Sequence, residues 1–281
     1  MFINARLDIC VFNAIMCIGG ACKIMEDKEL VKARSQTVVK ANELIQKSRF
    51  SLSLLQQKVV LYLISKIQAY DEDFKLYEFS IQEFYSVCGI KNDSGRNYAM
   101  LKNTIKEIAD KSLWITLEDG KQTLVRWIEK PYIDEHSGLI RIKLDKDMKP
   151  FLLQLQDNFT QYELFWTLQF KKKYSVRLYE LINSIHYNTL ETYERIYELE
   201  ELRQLLDAEN HKTWQHFETR VLAPATEEIN SFSNKTVFYE PIRYGRTVGR
   251  VKLIIKSKDS IEALNMRIEQ ERQLGLDFLG V

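Results

Sequence analysis

Five polar side chains in the C-terminal third of the chain, Lys212, Gln215, His216, Thr219 and Arg220, have the chemistry and spacing to read DNA bases. Arginine can donate two parallel hydrogen bonds to guanine, and glutamine is matched to adenine. At helical spacing these five leave Trp214, Phe217, Val221 and Leu222 on the opposite, apolar side. A second group follows, Arg243, Arg246, Arg250 and Lys252, whose charge suits phosphate rather than base edges. Polar helix faces are usually just solvated; the basic segment beside this one tips the balance towards nucleic acid.

The elements needed to position these groups can be read around them. Leu199, Leu202, Leu205 and Leu206 mark a supporting helix, and residues 195–197 a short strand before it. Val237-Phe238-Tyr239 and residues 251–255 are two strands joined across the basic turn. Strand, helix, turn, longer helix and hairpin, over residues 198–258, is the order of a winged helix-turn-helix. Its second helix enters a DNA groove while the hairpin rests on the backbone. Pro224 interrupts the long helix, since proline lacks a backbone donor and clashes with the preceding turn. A kink or break is expected over residues 220–223, with the helix resuming at Glu227.

The same order occurs once before. Ile81-x-x-Phe84 followed by Tyr98-x-x-Leu101-x-x-x-Ile105 parallels Leu199-x-x-Leu202 followed by Trp214-x-x-Phe217-x-x-x-Val221. A strand with Tyr77 or Tyr197 precedes each, and a hairpin follows each; the first is signalled by Asp119-Gly120. A repeat this long fits tandem domains rather than solenoid units. The expected fold is α+β, two winged helix-turn-helix domains related by internal duplication. The expected divisions are an extension at 1–27, domains at 28–150 and 151–258, and a tail at 259–281. In the first domain the corresponding DNA-facing set is Arg96, Lys102, Asn103, Lys106 and Lys111, diluted by Glu107 and Asp110, with Lys121 and Arg126 on its wing. Lys171, Lys172, Lys173 and Arg177 are further candidates for the DNA backbone, although a lysine run is also what a solvated loop carries.

Local signals complete the outline. Ser53-x-x-Gln56 and Thr160-x-x-Glu163 are both capping-box patterns. The first should open an amphipathic helix and the second a helix reaching Gln169, with Ser175 capping the next. Residues 28–42 read as an extended lead-in, and 261–274 as a charged, peripheral helix.

Composition restricts the function classes. Hydrophobic residues make up 45% of the chain and the net charge is +1, so the whole is compact but not strongly basic. Charge is segregated instead: residues 235–258 hold seven Lys and Arg against Glu240, and residues 191–209 are predominantly acidic. That predicts a polarised surface. Cys10, Cys17, Cys22 and Cys88 form no CxxC pair, which argues against zinc or disulfides and for thiols in a reducing cytoplasm. The apolar run over residues 9–22 is short for a membrane span, and Asp8 and Asn13 spoil it as a secretory signal despite Arg6 and Gly19-Gly20-Ala21-Cys22. It reads as an extension or a misplaced start, with Met25 the natural one. No phosphate-binding G-x-x-x-x-G-K-[ST] loop occurs. His136, His186, His211 and His216 never adopt the His-hydrophobe-His spacing of a nicking enzyme. No enzymatic activity, metal or cofactor is expected.

The chain resembles the iteron-binding plasmid replication initiators, the RepB-type family. The resemblance is carried by Val38-Val39-Lys40-Ala41-Asn42-Glu43-Leu44-Ile45, Ser51-Leu52-Ser53-Leu54-Leu55-Gln56-Gln57-Lys58, Tyr174-Ser175-Val176-Arg177-Leu178-Tyr179-Glu180-Leu181, Leu222-Ala223-Pro224-Ala225 and Glu228-Ile229-Asn230. It spans residues 38–255. What it implies is two winged helices on directly repeated origin DNA, the second making the main base contacts. It also implies monomers that open the duplex and recruit the host replication initiator and helicase machinery, and dimers that bind an inverted repeat and repress their own gene. Dimerisation would use the N-terminal domain. Two other readings share the residues: a transcriptional repressor without an initiator role, and a protein-binding module whose basic wing is incidental.

Overall fold

The computed structural model describes residues 27–90, 94–117, 119–185 and 192–274. The N-terminal extension and its possible start sites lie outside them. The lead-in is helix α1 (Asp27–Arg34) before strand β1 (Thr37–Ala41), rather than extended throughout. Two short elements, α2 (Asn42–Gln46) and β2 (Ser48–Arg49), precede α3 (Leu54–Ser65). The capping box of α3 is complete: the Ser53 side chain accepts from Gln56 N, and Gln56 Oε1 accepts from Ser53 N. Unlike an amphipathic helix, α3 is buried from Gln56 to Ser65 on all sides, so it forms the centre of the first module.

Around it stand β3 (Tyr77–Ser80), α4 (Ile81–Val87) and α5 (Ser94–Ala109), then β4 (Ser112–Thr116), β5 (Gln122–Arg126), β6 (Tyr132–Asp134) and β7 (Leu139–Ile142). α4 stops at Gly89, whose φ of +62° only glycine adopts without strain. Leu101, Ile105 and Ile108 of α5 are fully buried, as their i, i+4, i+7 spacing requires. The buried Cys88 thiol is pushed up to about 12 by desolvation, which leaves it unreactive at neutral pH.

The second capping pattern misleads. Residues Phe159–Glu163 form a strand, β8, after the short helix α6 (Lys149–Leu152). Alternating Thr160 and Tyr162 point inward and the strand pairs antiparallel with β1, an outlet for its backbone bonds that a local pattern cannot reveal. The expected division after residue 150 thus falls between two halves of one sheet. A single turn, α7 (Phe165–Leu168), leads to α8 (Lys173–Ser184). Ser175 does not cap α8; it lies inside the helix and its hydroxyl donates to Glu228.

The second module is β9 (Thr192–Glu198), α9 (Leu199–Leu205), α10 (Trp214–Phe217), α11 (Ala223–Phe232), β10 (Lys235–Tyr244) and β11 (Thr247–Ser257), followed by α12 (Ser260–Gln273). Its sheet runs β10-β11-β9. The order β6-β7-β3 in the first module matches it, whereas β4-β5 joins β2 in a separate sheet. The duplicated plan is therefore closed by the second N-terminal hairpin, not by the one at Asp119-Gly120. Leu199, Leu202, Leu205, Leu206, Phe217, Val221, Leu222 and Ile229 form the core between helices and sheet. Among the described residues no helix is long and apolar enough to cross a membrane.

Candidate nucleic-acid interface

The helix that carries the base-reading candidates begins at Trp214, with Thr213 capping it through a hydrogen bond from His216 N. It does not break at Pro224. Residues Glu218–Leu222 widen into a π turn and Ala223 N donates to Glu218 O, five residues back. A proline at 224 would drive its ring into the Arg220 carbonyl of a regular α-helix; the wider turn gives clearance and keeps the axis continuous. Phe217, Val221, Leu222 and Ala225 are buried beneath it, and Trp214 is half-buried, 6.4 Å from Tyr239.

Gln215, His216, Thr219 and Arg220 all lie exposed on the outer side of this helix. Lys212 is exposed too but belongs to the turn before the helix, where its carbonyl accepts from Arg203. Thr219 Oγ1 donates to the Gln215 carbonyl at 2.7 Å, leaving it only acceptor capacity. Arg220 has no carboxylate partner among the described residues.

At the hairpin the charges divide into two sets. Arg250 is 2.6 Å from Glu198, and Lys252 lies between Glu194 at 3.4 Å and Glu240 at 3.0 Å. The expectation of a segregated, polarised surface is corrected here, because β9 pairs with β11 and sets the acidic run against the basic one. Lys235 and Lys258 leave the surface as well, Lys235 bonding Ser257 and Lys258 the carbonyls of Asn230 and Ser233. Among the described residues of the hairpin, the cations that stay exposed without a carboxylate are Lys256, opposite Thr236, and Arg243 and Arg246, on either side of Tyr244-Gly245 at the tip. Gly245 turns the chain at φ +61°, and a register shift at Ile242/Arg243 adds twist that turns the tip. A Cβ on Gly249 would come within 2.6 Å of the Tyr244 ring, so glycine there leaves room for that ring against the strand.

The lysine run sits in the turn before α8. Lys171 and Lys172 are exposed while their backbone N–H groups both donate to Glu228, which fixes the turn against α11. Lys173 is half-exposed and held by Asp207 at 2.5 Å. Arg177 is a correction. It is buried at the junction of the modules, donating to the carbonyls of Leu205 and Ile45, paired with Glu180 and stacked 4.2 Å from the centre of the Phe50 ring. No phosphate can reach it there.

In the first module Arg96, Lys102, Asn103 and Lys106 are exposed along α5, with Lys102 paired to Glu135. Lys111 is half-buried and bonds Gln56 at 2.8 Å. Lys121 is paired with Asp119, and Arg126 is exposed on β5, both outside the sheet that matches the C-terminal wing.

Sequence reasoning passed over His211. Its Nε2 lies 3.3 Å from Tyr174 Oη, half-buried between α8 and the base-reading helix. Desolvation first, then the positive charges of His216, Arg220, Lys173 and Arg203, push its pKa below the ordinary histidine value. The local potential is therefore positive, and an arriving phosphate would raise that pKa again. DNA binding should consequently take up a proton: affinity rises as pH falls through the range where the bound protein's His211 gains its proton, and levels off below the lowered pKa of the free protein. Fluorescence anisotropy across that range checks this, with His211→Gln expected to flatten the profile. No histidine motif marks this residue in the sequence; its position between Tyr174 and the recognition helix does.

Comparisons with known proteins agree with this geometry. A family described as "Initiator Replication protein, WH1" matches residues 37–183, and one described as "Initiator Rep protein, WH2" matches residues 198–255. A replication initiation protein of Escherichia coli is 23% identical over 248 residues, covering 85% of this chain and 71% of that protein. The fold is similar to that of the Pi initiator protein in its complex with iteron DNA, with a TM-score of 0.67 and 17% identity over 81% of this chain and 99% of that one. Two tandem winged-helix domains are thus established.

Proposed function

The chain belongs to the initiator replication protein family, and from that premise we propose that it binds directly repeated origin sequences, iterons, and starts replication of a plasmid. The observation that carries the proposal is the base-reading helix. Its exposed side holds Gln215, His216, Thr219 and Arg220, and the exposed side chains of Lys171, Lys172 and the wing-tip Arg243 and Arg246 make no ion pair among the described residues. Monomers occupy iterons with both modules, and dimers bind an inverted repeat and repress the gene. The host replication initiator and helicase are recruited in the cytoplasm. The protein works by binding, with no catalysis, metal or cofactor of its own.

The test is a plasmid carrying this gene and its flanking DNA in a host with its replication machinery intact. Autonomous replication supports the proposal; repression of the gene's own promoter without replication favours a repressor. Phosphate contact is tested separately. Arg246→Ala is expected to reduce the slope of log affinity against log salt by about one while leaving sequence preference unchanged. An unchanged slope removes Arg246 from the interface.

A further inference from the structure

The C-terminal helix α12 is not peripheral. Its last turns carry Glu271, fully buried and 2.6 Å from the equally buried Arg34 of α1. The same guanidinium donates to the Val87 carbonyl at 3.1 Å and to that of Ser86 at 2.9 Å, at the negative end of α4. One turn earlier, Arg267 donates to Glu163 and Ser35, each at 2.6 Å, and lies 4.8 Å over the Phe165 ring. Leu274, just past the helix, covers the turn at Gly89 so closely that a Cβ there would meet it at 2.1 Å. All of these partners belong to the first module.

The helix is fastened to the second module as well. Gln270 donates to the carbonyl of Phe232, the last residue of α11, at 3.0 Å. Lys258, at the entry to α12, bonds the carbonyls of Asn230 and Ser233 and contacts Met266. One helix thus ties the end of the base-reading helix to α1, α4 and β8.

We infer that α12 is an interdomain strap, and that Arg34 and Glu271 are positioning residues which fix the distance and angle between the two winged helices on DNA. This rests on the reading that both modules contact one DNA site. A buried ion pair adds little net stability, but removing one partner leaves a buried charge uncompensated. The pair therefore holds one arrangement and penalises others. Once one module is bound, the second binds at an effective concentration set by the connection between them. A rigid connection makes binding sensitive to the spacing of the two contacts; a loose one tolerates insertions.

The test uses the full chain carrying Glu271→Gln, with Arg267→Ala as a milder variant at a partly exposed position. Hydrogen exchange should quicken across Ser260–Gln273 in both while the amides of α11 keep their protection. The preference for a native repeat over one with two base pairs inserted between the footprints of the modules should fall about tenfold. Unchanged exchange in α12, or an intact spacing preference once its exchange has risen, overturns the inference. A wild-type chain that binds no repeat overturns the proposed function and the recognition role with it. The exchange data still decide whether Arg34 and Glu271 hold the strap.

Discussion

Replacing Glu180 by leucine is expected to destabilise the protein by about 3–5 kcal/mol, the largest effect of any single substitution argued from this structure. Glu180 is buried in α8 and accepts from Lys40 at 2.5 Å and from Tyr162 at 2.7 Å, with Arg177 at 3.7 Å. Leucine would leave Lys40 and Arg177 buried without their counter-charge. Burial works to raise the Glu180 pKa, but Lys40 and then Arg177 outweigh it, so the carboxyl titrates below the ordinary range. With the folded pKa depressed, the stabilisation is present above the unfolded value of about 4.3 and is lost as pH falls through the lower folded value. Urea unfolding should show a lowered midpoint at pH 7, with the gap between wild type and variant narrowing in acid. For a fold worth about 5–15 kcal/mol, that is a large share. A loss under about 1 kcal/mol would mean the cluster is hydrated. Because Arg177 bonds the end of α9 and the carbonyl of Ile45, this cluster also seats the second module against the first.

Periodicity reveals elements whose one side is buried, and so α4, α5, α9 and both C-terminal strands are legible from sequence. Where burial is complete it still finds the helix, as in α3 and α8, but misplaces the polar residues. α8 is buried from Ser175 to Ile182, and its polar members Arg177 and Glu180 look like surface residues until Lys40, more than a hundred residues away, is placed beside them. The same holds for Thr160 and Glu163, whose capping pattern is real in spacing but loses to pairing with β1. α12 looked peripheral because its apolar content is low; its anchors are two arginine-glutamate pairs, which no hydrophobic pattern registers.

The site was legible in its helix face and only partly in its wing. Gln215 follows from a regular helical count, whereas Arg220 lies within the π turn that begins at Glu218, yet all of the helix candidates emerge exposed. The wing was overcounted, because a one-dimensional charge tally cannot see that β9 runs alongside β11. Arg250 and Lys252 are held in ion pairs with acidic neighbours, and the free charge at the tip of the hairpin reduces to Arg243 and Arg246.

Arg220→Ala is expected to weaken specific DNA binding by about 1–3 kcal/mol and to relax the preference at one base position. The position argues for base rather than phosphate contact. Arg220 sits in the π turn, one turn beyond Gln215 and His216, with no carboxylate among the described residues to hold it back. Its neighbour Thr219 has already committed its proton to the helix, which leaves Arg220, Gln215 and His216 as the side chains of this face with donors to spare. Arg220→Lys separates charge from geometry: lysine retains the charge but not the planar fork, so non-specific binding should survive while discrimination falls. Affinities for a repeat and for single-base-pair variants of it, measured at one salt concentration, decide the matter. A loss shared equally by every sequence would assign Arg220 to the phosphate backbone and pass base reading to Gln215.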